Sequence, residues 1–475
     1  MTEQRERAAI VGITAAALVG RLMLLWEPMR FDEGVSWAYY VGRSWATIVG
    51  AYQQPNNHVF YSLLAKISAA AVGYPPWALR LPALLAGVAI VPLIWAVGRR
   101  FADGTTAMLA AGLSVGSTQL TLYSINARGY SLVVALFLAL LLVADRLREQ
   151  PTNARWAAFV ALGAIGLYTI PIMLYPLGVV TTWLVLSARA LEGQDRKAFL
   201  VRVAAAFAAA AGIAGLLYLP IIMTAGFGAL LGNKFVSPSP WDVFVMELPG
   251  NFGGTLGRWT SPFPWWATPL VTALALLGML RPTKSDRPSL VLATLLWCTA
   301  LLVVTHRAPF FRVWLFLLPL FLLSVARGIA WCVRRALKRE MWEGEWPAIA
   351  LAVATLAIAV VTRSVAQNGD TGTFRPAEAM TAVLAPRLRP GDRVLAPIPS
   401  IGPMLYYFPR AGADTTMLTI PLQRASRAYL VLDTRSDQDL AWAVRLGMIN
   451  PDEFPDPKLI AKYPDGELWE IPRGK

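Results

Sequence analysis

The chain has 475 residues, of which 56% are hydrophobic and only 15% are charged, and its mean hydropathy is +0.50. This composition is too apolar for a soluble protein of such length and indicates a polytopic membrane protein. The formal net charge of +14 could suggest a nucleic-acid partner, but its distribution excludes that class. From residue 367 onward 13 Lys and Arg balance 13 Asp and Glu, so the excess lies in the apolar part, where it predicts membrane orientation and contact with anionic lipid.

Apolar runs long enough to cross a bilayer recur from residue 8 to residue 366. Helices are expected, because lipid offers no partners to backbone groups and the short alternating segments of a membrane barrel are missing from the sequence. We predict about eleven transmembrane helices, at residues 8–26, 79–98, 106–123, 129–146, 155–170, 171–190, 199–222, 266–281, 289–305, 311–330 and 347–366.

Lys and Arg collect in alternate short connections, and cationic flanks of this kind stay on the cytoplasmic side. The N-terminus is therefore predicted inside, whereas the C-terminus and the long loops at 27–78 and 223–265 are predicted outside. The first span has no small-residue cleavage site, so we expect an anchor. The clusters are Arg5 and Arg7; Arg99 and Arg100; Arg146, Arg148 and Arg155; Arg189, Arg196, Lys197 and Arg202; Arg281, Lys284 and Arg287; and Arg327, Arg334, Arg335, Lys338 and Arg339.

The loop at residues 27–82 is too apolar and too aromatic for a solvated connection. Its segments "EGVSWAYYVG" and "NHVFYSLLAKISAAAVG" are typical of helices that lie in the membrane interface. The second segment is also nearly long enough to span the bilayer. The alternation of charge favours the interfacial interpretation, because a single crossing then separates Asp32 from the cationic residues 99–100.

Residues 367–475 differ from the preceding membrane domain, residues 1–366, and predict a small extracytoplasmic α/β domain. Short β-branched or aromatic runs alternate there with Pro, Gly and Asp, and we find no catalytic motif among them. Strands are predicted at residues 392–399, 427–433 and 466–472, and helices at residues 376–388 and 437–447.

Metal and disulfide chemistry are not indicated by the sequence. Cys298 lies within one predicted span and Cys332 near the cytoplasmic end of the next, so we do not expect them to pair. With His58 and His306 as the two histidines of the chain, a structural zinc site is not expected either. No cofactor is predicted, and dependence on a divalent cation is left open.

Several elements in order resemble the C-type fold of integral-membrane glycosyltransferases, in particular the branch of protein O-mannosyltransferases and the aminoarabinose transferases of lipid A. The resemblance rests on the acidic pair Asp32 and Glu33 after the first span, the helix "HVFYSLLAK" that begins at His58, and the segments "ALRLPALLAGV" and "NARGYSLVVALFLALLLV". It covers about the first 150 residues well and the later spans in outline. The branch usually has two prolines after the histidine, where this chain has Val59 and Phe60.

The resemblance implies an enzyme that moves a sugar from a polyprenyl-phosphate donor to an extracytoplasmic acceptor hydroxyl by single displacement with inversion. It implies that Asp32 is the general base, and Glu33 has a supporting role. The departing phosphate requires cations in a partly dehydrated site. The candidates for this contact are Arg128, Arg307, Arg312 and Tyr130, and those for binding sugar or acceptor are His58, Tyr61 and Trp37, with Trp265 and Trp266 as further stacking surfaces.

Each assignment has a structural alternative. Asp32 could cap a helix, with Glu33 in the first turn, and the arginines could extend to the headgroups at span ends. Lys234 could be a solvated loop charge or contact the donor phosphate. For the whole protein, the alternatives are a transporter or flippase for a lipid-linked substrate and a noncatalytic membrane scaffold. Mannose and arabinofuranose both remain open as the sugar, and protein, glycolipid and cell-wall glycan as the acceptor.

Overall fold

The computed structural model describes residues 3–232, 237–281, 287–336, 345–422, 425 and 427–473. Lys234 and the predicted cytoplasmic residues Lys284, Lys338 and Arg339 lie outside these ranges. Internal contacts divide the chain into two compact units. The first unit contains Met1–Leu25, Trp45–Gly73 and Trp77–Val365, and the second contains Trp26–Ser44, Tyr74–Pro76 and Ala366–Lys475.

The first unit is a bundle of apolar helices, and every predicted span coincides with helical structure. Five of the described helical segments are long and apolar enough to cross a membrane: Pro76–Phe101, Tyr130–Glu149, Pro171–Ala190, Gly193–Leu217 and Phe311–Ala336. The other spans correspond to Glu3–Leu22, to Gly104–Val115 with Thr118–Ser124, and to Asn153–Thr169, Trp265–Met279, Leu290–Thr305 and Trp346–Val361. The prediction of a polytopic all-α membrane protein is confirmed.

The two long loops are largely helical. The first contains Phe31–Ser36, a π-helical turn at Trp37–Val41, Trp45–Gly50 and Val59–Ala70, so its two predicted helical segments are confirmed as helices. The second contains a 20-residue helix, Trp241–Thr260, that the sequence did not predict. This helix includes Pro249 and several glycines, which are normally depleted from helix interiors and therefore concealed it.

Charged residues at the ends of several spans meet in one network within the first unit. Asp145, which is fully buried, accepts from Arg287 Nε at 2.8 Å and lies 3.5 Å from Arg100. Arg287 also contacts Glu149 at 3.4 Å. Two further ion pairs involve arginines of the predicted cationic clusters, namely Arg99 with Glu6 and Arg334 with Asp103. These connections therefore lie at one end of the unit, as the charge alternation predicts, and the side of the membrane that they face stays a prediction.

The second unit contains a sheet of four strands, which are β1 (Asp392–Leu395), β2 (Arg427–Leu432), β3 (Lys458–Tyr463) and β4 (Gly466–Pro472). Their order in the sheet is β1–β2–β4–β3. Strands β1 and β2 are parallel, and the other two pairs are antiparallel. Leu430 and Leu432 of β2 are buried with Ile471 of β4 in a small apolar core. The main helices of this unit are Ala377–Leu384, Ile401–Arg410 and Leu440–Arg445.

The small α/β domain is confirmed, with two elements that the sequence did not reveal. Strand β3 lies at the edge of the sheet, where Lys458 and Lys462 give it a polar character. The Ile401–Arg410 helix contains two prolines, which argued against a helix there. A further difference concerns the first loop, which the sequence kept with the membrane domain: its segment Trp26–Ser44 belongs to the second unit.

Candidate active site

The acidic pair lies at the start of a short helix, Phe31–Ser36, which we call the acidic helix. Arg30 is its N-cap residue, and the Arg30 backbone N–H donates to Glu33 Oε2 at 2.9 Å. The alternative that Asp32 caps the helix is therefore wrong, because Glu33 provides the capping carboxylate. Asp32 follows the first helical residue, and both carboxylates are buried, with Asp32 7% and Glu33 1% exposed.

Hydrogen bonds within the second unit fix the entry to the acidic helix. The buried Arg30 guanidinium donates to Thr371 Oγ1 at 2.9 Å and to Thr373 Oγ1 at 3.0 Å. The Tyr407 hydroxyl accepts from the Met29 backbone N–H at 3.1 Å. The sequence did not single out these residues. Until its partners are known, a buried arginine beside an acidic pair cannot be distinguished from an arginine that contacts lipid headgroups.

Two glycines let the acidic helix pack directly against the Ile401–Arg410 helix of the second unit. A Cβ atom added to Gly34 would lie 1.9 Å from the Gly402 carbonyl oxygen, and one added to Gly402 would lie 2.4 Å from the Phe31 carbonyl oxygen. Neither helix can therefore carry a side chain at the crossing without moving. This close contact fixes the backbone that carries Asp32.

Trp37, a predicted sugar-binding residue, also belongs to the second unit. Its ring packs edge-on against Tyr406, with the ring centroids 5.1 Å apart. Part of the indole surface is therefore already used in packing. A role of Trp37 in binding sugar stays a prediction.

The first unit brings together three other predicted residues, His58, Arg128 and Arg312, which we call the cationic cluster. Arg128 contacts His58 Nε2 through one terminal nitrogen at 2.8 Å, and the Gly129 backbone N–H donates to His58 Nδ1 at 2.9 Å. His58 and Arg128 are 2% and 3% exposed. The Tyr130 ring packs edge-on against His58 at 5.1 Å, and the Arg128 guanidinium lies 5.4 Å from the same ring.

The pKa of His58 is lowered well below its usual value by burial, and then by the positive charges of Arg128 and Arg312. The ring is therefore neutral at physiological pH. A neutral imidazole accepts a hydrogen bond at one nitrogen, so the Arg128 and Gly129 donors compete for the ring. His58 thus contacts a phosphate-binding candidate, whereas the sequence had placed it with the residues that bind sugar or acceptor.

The remaining candidates make other contacts. Tyr61 donates its hydroxyl to the Leu79 carbonyl at 2.9 Å and is buried. The His306 ring packs on Trp241, with centroids 4.1 Å apart. Arg307 lies within electrostatic range of the Tyr175 hydroxyl. Trp265 and Trp266 are highly exposed, as expected of interfacial anchors.

The residues that the structure describes contain no group of three or more His, Cys, Asp or Glu side chains that could hold a metal ion. Asp32 and Glu33 are adjacent in one short helix, and Glu33 is engaged as the cap. The candidate site residues therefore offer a carboxylate in the second unit, and arginine and imidazole groups in the first.

Comparisons with known proteins show which family and which fold the chain resembles. Residues 55–222 match the family model described as dolichyl-phosphate-mannose-protein mannosyltransferase. The matched range includes His58, Arg128 and Tyr130. No curated protein sequence matches the chain.

Solved structures identify the fold. The crystal structure of ArnT from Cupriavidus metallidurans in the apo state covers the chain with a TM-score of 0.62, 12% sequence identity and 97% coverage of both chains. The chain has the ArnT fold. ArnT from the same organism bound to undecaprenyl phosphate gives a TM-score of 0.58, 13% identity and 97% coverage of both chains. The resemblance seen in the sequence is confirmed in the fold, which is that of a multi-pass membrane protein, and in the family match over residues 55–222.

Proposed function

We propose that this protein takes a sugar from a polyprenyl-phosphate donor and transfers it to an acceptor hydroxyl on the outer face of the membrane. The observation that carries the proposal is the cationic cluster, because Arg128 and the neutral His58 ring lie in contact within the region that matches the mannosyltransferase family. A departing polyprenyl phosphate is a dianion, and buried arginines stabilise such a charge far better than solvated ones. One of the two similar crystal structures contains undecaprenyl phosphate, the same class of lipid.

His58 positions Arg128 in this proposal. Because the His58 ring is neutral, it adds no charge of its own and can accept a hydrogen bond from the guanidinium. A phosphate oxygen bound to Arg128 would leave His58 Nδ1 to the Gly129 N–H. Arg312 supplies further positive charge, and the Tyr130 ring packs beside His58 and Arg128.

Asp32 is the proposed general base, which takes the proton of the acceptor hydroxyl as its oxygen attacks the anomeric carbon. Adjacent helical residues point about 100° apart, so Asp32 and Glu33 cannot face one hydroxyl in the same way. The Glu33 carboxylate is engaged at the helix cap, and the resemblance assigns the base to Asp32. Direct attack on the donor inverts the anomeric centre.

The donor sugar is proposed to be mannose or arabinofuranose, and the acceptor a protein, glycolipid or cell-wall glycan. Attack at the outer face agrees with the predicted topology, in which the cytoplasmic end carries the Asp145 network. Further proposed contacts to sugar or acceptor are Trp37 and Tyr61, and Arg307 remains a proposed contact to phosphate.

The transporter alternative requires charged side chains along a path through the spans. The buried Arg21 instead donates to Ser124 Oγ and to the Ala17 carbonyl. Arg80, which is also buried, donates to the Leu25 carbonyl at 2.8 Å. These contacts are typical of arginines that hold helices together, so they do not favour transport.

Incubation of the purified protein with radiolabelled polyprenyl-phosphate mannose or arabinofuranose, in membranes that supply acceptors, tests the proposal. We expect the label to leave the lipid carrier and to appear in a product with a new glycosidic bond. Retention of both labels on the carrier, in a preparation with an intact fold, would overturn it. Movement of intact labelled lipid between leaflets would favour the flippase instead.

A further inference from the structure

Buried polar side chains that the proposed chemistry does not use lie in the turn between the Thr118–Ser124 and Tyr130–Glu149 helices and at the start of the second helix. Asn126 is fully buried, yet neither its amide nitrogen nor its amide oxygen has a hydrogen-bond partner among the described residues. The hydroxyl of Ser131, which is 1% exposed, also lacks one there. Burial of an amide without a partner is costly, so most native proteins avoid it.

The position of Asn126 connects it to the cationic cluster. The Arg128 backbone N–H donates to the backbone carbonyl oxygen of Asn126 at 2.6 Å, so both residues belong to one tight turn. The Arg128 side chain contacts His58, and the Tyr123 and Tyr130 rings pack at 5.0 Å across the ends of the same turn. A ligand whose phosphate binds Arg128 would therefore place its adjoining group close to this turn.

The chemistry of the amide indicates which group this is. An ionised phosphate accepts hydrogen bonds but does not donate them, so it would leave the side-chain amide oxygen of Asn126 facing a negative charge. A hydroxyl both donates and accepts, and the amide of Asn126 and the hydroxyl of Ser131 together offer both functions without a charge. Neighbouring hydroxyls of a sugar ring match this set of donors and acceptors.

We propose that Asn126 and Ser131 form a subsite that binds the hydroxyl groups of the donor sugar. This inference rests on the proposed function and deepens it, because it assigns sugar recognition to neutral groups next to the arginine that holds the phosphate. The unpaired Asn126 amide is unfavourable in the ligand-free protein, and the hydroxyl groups of the bound sugar supply its missing hydrogen bonds. Asn126 is therefore a specificity-determining residue rather than part of the packing.

Asn57 provides a matched control within the same unit. It is also fully buried, but its amide donates to the Ile48 carbonyl at 2.8 Å and to the Ala51 carbonyl at 2.9 Å. Its amide oxygen accepts from the Ser62 hydroxyl at 3.1 Å. Asn57 thus represents an asparagine that stabilises the fold through satisfied hydrogen bonds.

The test compares affinities for undecaprenyl phosphate and for its mannosyl and arabinofuranosyl derivatives, together with Tm, in the full-length protein. In the wild type, we expect one of the two sugars to increase the affinity over that for undecaprenyl phosphate. The Asn126→Ala variant should lose this increase, about tenfold or more, and keep its affinity for undecaprenyl phosphate. Its Tm should stay constant or rise, because an unpaired buried amide is removed, whereas Asn57→Ala should lower Tm.

The outcomes separate the subsite from the proposed function. A lower Tm of Asn126→Ala with an unchanged effect of the sugar would overturn the subsite and assign the amide to structure or to a buried water. The subsite would also be overturned if undecaprenyl phosphate binds to the wild type but neither sugar increases the affinity. Failure of the wild type to bind undecaprenyl phosphate at all would instead contradict the proposed function. Ser131→Ala should reproduce the loss to a smaller extent.

Discussion

The buried His58 ring faces two hydrogen-bond donors, the Arg128 guanidinium and the Gly129 N–H. From sequence alone, His58 was assigned to the sugar or the acceptor because the resemblance placed it in the outer loop. The structure shows that its ring contacts an arginine, a partner 70 positions away that no local pattern indicates. The role of a polar residue therefore depends on contacts that sequence spacing does not reveal.

Arg128→Lys tests the phosphate contact. Lysine keeps the charge but cannot provide the planar fork that binds phosphate through two parallel donors. We expect the affinity for undecaprenyl phosphate, measured with the purified protein, to fall about tenfold or more, which corresponds to roughly 1.4 kcal/mol. Arg155→Lys is the control, because Arg155 is partly exposed and donates to the backbone carbonyls of residues 146 and 150. Equal affinities of the two variants would assign Arg128 to packing or to headgroup contact.

The lowered pKa of His58 predicts a pH dependence of stability. A histidine that is held neutral in the folded state gains a proton on unfolding once the pH falls below about 6.5. Folding is then opposed by about 1.4 kcal/mol for each pH unit until the ring is protonated in the folded state too. Thermal unfolding between pH 8 and pH 5 should therefore show a steeper fall of Tm in the wild type than in His58→Gln. Parallel curves would mean that His58 titrates normally.

At the scale of secondary-structure elements, the position of Asp32 depends on the crossing of the acidic helix with the Ile401–Arg410 helix. Gly34 and Gly402 allow the two backbones to touch, and Arg30 links the same segment to residues 371 and 373. The catalytic carboxylate of the proposal is thus held by the α/β unit. If Asp32 is the base, as proposed, the second unit has a structural role in catalysis, which its own sequence does not suggest.

Gly34→Ala should disturb this crossing. The new methyl group would overlap the Gly402 carbonyl, so the helix must shift, at an expected cost of about 1–3 kcal/mol. We expect a lower Tm and a loss of sugar transfer of at least about tenfold, since displacement by about 1 Å is enough to impair catalysis. In the control Gly253→Ala, a Cβ meets nothing within 4 Å, so Tm should hold or rise. Normal activity of Gly34→Ala would contradict the assigned role of the crossing.

Most elements could be predicted from the sequence, because long apolar runs and alternating strands are strong local signals. The helix Trp241–Thr260 and the edge strand Lys458–Tyr463 could not, since glycines and Pro249 in the first and lysines in the second mimic loops. The acidic pair and Arg128 were recognised by their motifs. Arg30 and Tyr407, which hold the segment before the acidic helix, were not, because their contacts with Thr371 and Met29 join segments far apart in the chain.

At the scale of the whole molecule, the Asp145 network places several connections at one end of the membrane unit. These connections carry the arginines that predicted the cytoplasmic side. The network thus supports the alternation of the spans, and the orientation follows from the rule that cationic flanks stay inside. In the predicted topology, the proposed reaction takes place on the outer face.

Labelling of single cysteines checks this orientation. In a background that lacks Cys298 and Cys332, Ser44→Cys and Ser436→Cys should react with a membrane-impermeant thiol reagent in intact cells. Gln150→Cys, next to the Asp145 network, should react after permeabilisation alone. The parent without cysteines serves as the control. Labelling of position 150 in intact cells with protection of positions 44 and 436 would reverse the topology.

The most direct test of the account is sugar transfer by Asp32→Asn in a single turnover from a labelled polyprenyl-phosphate donor. The amide keeps the shape of the side chain but cannot take the proton, so we predict a rate about 10² to 10⁴ times lower with unchanged donor affinity. Glu33→Gln should lose much less, because glutamine can still accept the N–H of Arg30 at the helix cap. Transfer by Asp32→Asn at the wild-type rate would contradict the assignment of Asp32 as the base, and with it the catalytic role of the acidic helix.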